Sequence, residues 1–172
     1  MKRTIRIAAL VTALMLLGCV GTAFAETFYA RQIDYCNEYV TLRSSPSSSS
    51  SAVDYVYLGE VVMAAPYNSE FSHCCYNGRF GYIKTQYLSS NISTYSEGIF
   101  RVANCNEWIS LRSMPISDGR VLAHVPLGAT FDAIYYADGS YNPNAYAYVR
   151  YNGQYGWVLW RYLEPVYYYG WQ

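Results

Sequence analysis

The 172-residue chain carries twelve acidic and twelve basic side chains, and only 14% of its residues are charged while 18% are aromatic. No cluster of Lys or Arg occurs beyond the N-terminus, where Lys2, Arg3 and Arg6 fall, and Lys84 is the only later lysine, so a nucleic-acid partner is excluded. The 21 tyrosines exceed what a core of this size needs, which leaves some of them for a recognition surface.

In chain order, Lys2, Arg3 and Arg6 precede an apolar run, Ile7 to Leu17, too short to span a bilayer stably, and Ala23-Phe24-Ala25 offers a small-x-small cleavage site. Residues 1–25 are therefore expected to be an export signal. Leu16-Leu17-Gly18-Cys19 resembles a lipoprotein processing box and offers a second route, with membrane attachment only through a lipid on Cys19. Gly21, breaking the apolar run just before the Ala-x-Ala site, favours cleavage after Ala25. The remainder holds nine basic and twelve acidic side chains, a net charge near −3.

From residue 26 onward, short alternating apolar runs broken by Gly, Asn, Pro and Ser predict an all-β chain. A first strand holds Val40-Thr41-Leu42, with the branched residues inward and the hydroxyl outward. Serines 47 to 51 form a flexible loop that cannot pack, and the next strand ends at Leu58-Gly59, where glycine permits a positive φ. Asn77-Gly78 predicts a type I′ hairpin whose outer face is His73, Cys75, Phe80 and Tyr82. A linker, 91–99, follows. Ile109-Ser110-Leu111, Leu127-Gly128 and Asn152-Gly153 then repeat these signals. The second Asn-Gly turn sets Tyr148 opposite Trp157, Val149 opposite Gly156 and Arg150 opposite Tyr155. One face is then core: Ala147, Val149, Gly156 and Val158. The other, Tyr148, Arg150, Tyr155 and Trp157, is too aromatic for a solvated face; it binds a ligand, or packs under a loop or against the other half.

The second half repeats the first. Cys36-Asn37-Glu38-Tyr39-Val40-Thr41-Leu42-Arg43-Ser44 returns 69 residues later as Cys105-Asn106-Glu107-Trp108-Ile109-Ser110-Leu111-Arg112-Ser113. Tyr76-Asn77-Gly78 through Ile83 returns 75 residues later as Tyr151-Asn152-Gly153 through Val158, so about six residues are gained within Asp138 to Tyr146. Repetition of a small module argues for binding before catalysis, because two copies multiply effective affinity whereas an active site needs one constellation.

Leu42-Arg43-Ser44-Ser45-Pro46 with Gly81-Tyr82-Ile83 and Tyr87-Leu88, and Leu111-Arg112-Ser113-Met114-Pro115 with Gly156-Trp157-Val158 and Tyr162-Leu163, resemble the opening and closing strands of bacterial SH3 (SH3b) domains. The family's usual glycine before the proline is replaced by Ser45 and Met114. The resemblance implies two tandem small SH3-like β-barrels, at 26–90 and 100–165, followed by an aromatic tail, 166–172. It also implies binding of cell-wall peptidoglycan or its cross-bridge peptides. The two modules take up the chain after residue 25, leaving no room for a hydrolase.

Cys36, Cys74, Cys75 and Cys105 are an even number in a chain read as exported. Strand parity points Cys36 and Cys74 into one core, so a Cys36–Cys74 disulfide is the preferred pairing, the alternative being unpaired thiols. Cys105 is then a buried thiol facing Val149, and Cys75 is left on the outer face. Alternation splays His73, Cys74 and Cys75 apart, which disfavours a nucleophile–base pair or a metal site there. His124 and the matched Glu38 and Glu107 read as ordinary surface groups.

The expectation is thus a secreted or wall-associated, non-catalytic protein without cofactor or metal, binding peptidoglycan or a related extracellular polymer. Tyr39, Tyr82, Trp108, Tyr148, Tyr155, Trp157 and Trp160 are its candidate binding residues. Tyr87 and Tyr162 recur too, more naturally as packing, and Tyr135, Tyr136, Tyr141 and Tyr146 surround the longer loop of the second half. The alternative is a protein partner or self-association, with the tail Tyr167 to Trp171 as part of the surface.

Overall fold

The structure, a computed structural model, describes residues 26–93, 99–135 and 142–166. Among these, regular structure is β apart from two single 3-10 turns, Thr85–Tyr87 and Trp160–Tyr162. Strands β1 (Tyr29–Ile33), β2 (Tyr39–Arg43), β3 (Ala52–Tyr57), β4 (Val61–Pro66), β5 (Phe71–Tyr76), β6 (Arg79–Lys84) and β7 (Leu88–Ser89) form one antiparallel sheet ordered β3-β2-β6-β5-β4-β1-β7. In the second half, β8 (Ile99–Val102), β9 (Trp108–Arg112), β10 (Val121–Pro126), β11 (Ala133–Tyr135), β12 (Tyr146–Tyr151), β13 (Gln154–Leu159) and β14 (Leu163–Val166) give β10-β9-β13-β12-β11 and a separate pair β14-β8. A bridge between Arg101 and Thr130 stands where the β1–β4 ladder runs in the first half.

Each half bends around a core. Ile33, Val40, Leu42, Val56, Val62, Cys74 and Ile83, from six strands of one sheet, meet in one cluster, so the sheet must curl to bring them together. Val102, Ile109, Leu111, Val125, Val149, Val158 and Leu163 form the equivalent cluster in the second half, where the β14-β8 pair closes over the five-stranded sheet. The small barrels expected from the resemblance take the form of curled sheets: β3 and β7 remain edges, with no ladder between them among the described residues. The strand at 40–42 is the second and not the first, because Tyr29–Ile33 precedes it and pairs with both β4 and β7. Ile99 belongs to β8 and not to a linker, and Val166 to β14 and not to the tail. The signal segment with Cys19, the tail from residue 167, and Tyr136 and Tyr141 lie outside the described residues.

Both hairpins have the turn that Asn-Gly dictates, with φ 45° and 82° at Asn77 and Gly78, and 49° and 76° at Asn152 and Gly153. The register follows as expected: Tyr148 pairs with Trp157, Val149 with Gly156 and Arg150 with Tyr155. Where β6 crosses β2, a Cβ on Gly81 would lie 2.6 Å from the Arg43 carbonyl oxygen; on Gly156 it would lie 2.8 Å from that of Arg112. Only glycine permits these crossings. The serine run is not the loose loop expected of its composition. Ser50 Oγ donates to the carbonyls of Ser45 (2.9 Å) and Ser47 (2.8 Å), and the Arg43 guanidinium donates to that of Ser50 (2.7 Å).

A third apolar cluster joins the halves. Val61, Met63 and Cys75, on the outer face of β4 and β5, pack with Trp157 of β13, and Phe28, Met114, Ile116, Tyr146 and Tyr148 surround them. Strand alternation turns Cys75 and Trp157 out of their own cores, and each finds the other half.

Candidate functional site

Two surface grooves occupy equivalent places in the halves. The first, about 570 Å³, lies between the segment 35–41, Arg43, Lys84 and Tyr87. The second, about 430 Å³, lies between 104–106, Trp108 to Ser110, Arg112 and Tyr162, with Tyr146 and Leu159 along one wall. Asn37 and Asn106, Tyr39 and Trp108, and Arg43 and Arg112 correspond at the 69-residue shift, and Tyr87 and Tyr162 at the 75-residue shift.

The backbone that shapes them is also repeated. After β1 and β8 the chain bends, and the bend is tied to the 3-10 turn: the Asp34 amide donates to the Tyr87 carbonyl (3.0 Å), and that of Ala103 to the Tyr162 carbonyl (2.7 Å). At the bend Tyr35 (φ 58°) and Asn104 (φ 55°) hold left-handed conformations, costly for a tyrosine. Asp34 Oδ1 accepts from the Tyr35 amide (2.7 Å), and Asn104 Nδ2 donates to the Arg161 carbonyl (3.2 Å). Tyr39 and Trp108 stand at the rims, 45% and 46% exposed. Each is backed by a ring on the next strand: Tyr39 meets Tyr55 edge-on at 5.0 Å, and Trp108 stacks on His124 at 3.7 Å. Arg43 and Arg112 are held by carbonyls of the following loops, Ser50 (2.7 Å) and Gly119 (2.8 Å), and so present a fixed guanidinium to each groove.

Of the expected binding residues, Tyr39 and Trp108 therefore reach the grooves. Tyr87 and Tyr162, expected as packing, line them. Tyr155 is 43% exposed, and Tyr148 stacks on it at 5.8 Å and leans on Trp157 at 4.9 Å. Tyr82 belongs to a separate ring series in which it contacts His73 (5.2 Å) and Tyr67 (5.0 Å), and His73 pairs with Glu26 at 2.6 Å. Two expectations are corrected. Trp157 is 2% exposed because the first half covers it, and Trp160 is 8% exposed because the 3-10 turn folds it into the core against Phe100. Neither offers a ligand surface. Asn37, Arg43, Tyr35 and their counterparts were not singled out; the length of the repeated run around Cys-Asn-Glu was the available signal.

The Cys36–Cys74 disulfide is also corrected. Both side chains meet the first core as parity predicted, but all four described cysteines are free thiols. Cys74 Sγ donates to the Ser72 carbonyl at 3.5 Å within the first core, while Cys36 is half-buried and lines the groove. Burial pushes the Cys74 thiol up to about 12 and the Cys75 thiol up to about 11, and it raises Cys36 too. Cys75 is fully buried at the junction of the halves, not left on an open face. Cys105 is half-buried against the second core, which includes Val149.

No family model matches the chain, and no curated protein does. Among solved structures, NlpC1 from Trichomonas vaginalis is similar at 16% identity and a TM-score of 0.39, over 83% of this chain and 48% of that one. NlpC2 from the same organism is similar at 15% identity and a TM-score of 0.38, over 81% and 49%. The chain spans about half the length of these structures.

Proposed function

We propose that the chain is an exported, non-catalytic binding protein made of two SH3b-like modules, each using the groove beside its second strand to hold peptidoglycan or a related extracellular polymer. The recurrence of one groove carries this reading: a rim aromatic backed by a second ring, an asparagine, a tethered arginine and a 3-10 tyrosine stand in both halves. An aromatic face stacks on sugar rings or packs on small peptide residues at little entropic cost, and the amide and guanidinium groups supply direction. Cys74 and Cys75 are fully buried and burial raises both thiols, which makes them poor nucleophiles and supports a binding role.

Sedimentation with purified peptidoglycan tests the proposal. Tyr39→Ala and Trp108→Ala should each weaken retention by about tenfold, as truncation of an aromatic anchor does, and the double variant should stay in the supernatant. Full retention of a folded double variant would overturn it. A protein partner is the second reading, favoured by Tyr67 and Phe80, which are 54% and 46% exposed outside both grooves. Concentration-dependent self-association abolished by Phe80→Ser would support that alternative.

A further inference from the structure

We infer that the second groove is a composite site: the first half completes it by holding Tyr146 in place, so ligand affinity there depends on the contact between halves. The inference rests on the binding role proposed above for its ligand, but its geometry stands independently.

Tyr146 opens β12 opposite Leu159, and both line the second groove. At the same register in the first half Phe71 opens β5 opposite Lys84. There the Phe71 amide is satisfied locally, donating to Asn68 Oδ1 at 2.7 Å within its own turn. In the second half, Pro143 occupies the position three residues before the strand and has no side-chain acceptor, and the turn's capping asparagine is Asn142, one residue earlier. Asn142 Oδ1 accepts from the Asn144 amide at 3.0 Å, as Asn68 Oδ1 does from the Glu70 amide at 2.9 Å. But Asn142 stands four residues before its strand's first residue where Asn68 stands three, and it does not cap the Tyr146 amide. Tyr146 instead donates its amide to Asn77 Oδ1, 2.9 Å away, at the hairpin tip of the first half. An open strand end has thus been capped across the junction.

The tip is seated against the second half, since a Cβ on Gly78 would come within 3.9 Å of the Pro115 carbonyl oxygen. Tyr146 also packs on the cluster of Val61, Met63, Cys75 and Trp157, so the first half supplies both its hydrogen bond and its apolar support. The arrangement is not reciprocal. The second hairpin tip is bound within its own half, Gly153 donating to Asp132 Oδ2 at 3.0 Å, and the first groove is lined entirely by first-half residues.

Asn77 has φ 45°, so Asn77→Gly keeps the turn and deletes the acceptor along with the side chain's interaction with Tyr76, while Asn77→Asp restores the acceptor. Both are made in full-length Tyr39→Ala protein, which silences the first groove. Amide exchange at Tyr146 and titration with soluble disaccharide-peptide fragments of peptidoglycan are measured, with thermal melts as the folding control. Asn77→Gly should speed exchange at Tyr146 and weaken fragment binding about three- to tenfold, the loss of one hydrogen bond, and Asn77→Asp should recover both. Unchanged exchange, or faster exchange with unchanged affinity, would overturn the inference. Failure of the Tyr39→Ala parent to bind the fragments would count against the proposed function, and exchange at Tyr146 would still decide whether the first half holds this wall.

Discussion

Trp157→Ala is expected to uncouple the two halves. The ring is 2% exposed and lies between β13 and the outer face of β4 and β5. A tryptophan buries about 150–250 Å², which at about 25 cal/mol per Å² contributes about 4–6 kcal/mol. Against this stands the indole N–H, buried with no hydrogen-bond partner among the described residues, at a cost of about 1–3 kcal/mol. The net loss is then about 3 kcal/mol, at the low end of measured tryptophan truncations in cores. Trp157→Phe keeps most of the apolar area and removes the unpaired donor, so it should remain within about 1 kcal/mol of the parent. Urea unfolding followed by fluorescence and circular dichroism reads both: one transition for the parent and for Trp157→Phe, an early second transition for Trp157→Ala. An unchanged midpoint for Trp157→Ala would refute the buried junction. Equal losses for both variants would refute the cost assigned to the indole N–H.

Three further outcomes follow from the same geometry. Gly81→Ala and Gly156→Ala place a Cβ 2.6 Å and 2.8 Å from backbone oxygens, so each should destabilise its half by at least about 1–3 kcal/mol; wild-type melting of either would show that the strands do not cross so closely. Burial raises the Glu60 carboxyl above its ordinary value near 4.5, although Tyr76 Oη (2.6 Å) and the Tyr57 amide (3.0 Å) donate to it. A carboxyl with a raised folded-state pKa favours folding while protonated, so its contribution is fullest below 4.5 and is lost as pH rises through the folded value. Glu60→Gln should therefore melt higher than the parent at pH 7 but not at pH 4, and parallel melting curves at both would contradict this. Thiol labelling should find Cys36 and Cys105 reactive in the native protein and Cys74 and Cys75 only after denaturation, with any disulfide among them counting against the structure.

Much of the fold was legible because the chain states its register twice. Asn77-Gly78 and Asn152-Gly153 permit only a two-residue turn, and every cross-strand pair then follows, so core-facing Val149, Val158 and Cys74 could be assigned by parity alone. Parity also says that Cys75 and Trp157 leave their own cores, but not what lies beyond; the cover comes from the other half, across a separation that no local pattern encodes. Trp160 was misplaced because it sits in a 3-10 turn, where strand alternation does not apply. The grooves were visible only as repeated letters. Their walls depend on a left-handed bend at Tyr35 and Asn104, positions where a glycine signal is lacking and tertiary hydrogen bonds fix the backbone instead.

The most direct test of the paired-groove proposal is amide shift mapping of the full chain with soluble peptidoglycan fragments. The account predicts two separate sets of perturbed resonances, one around Asn37, Tyr39, Arg43 and Tyr87 and the other around Asn106, Trp108, Arg112 and Tyr162. Shifts confined to the faces bearing Phe80 or Tyr155, or no saturable shifts at all, would contradict it.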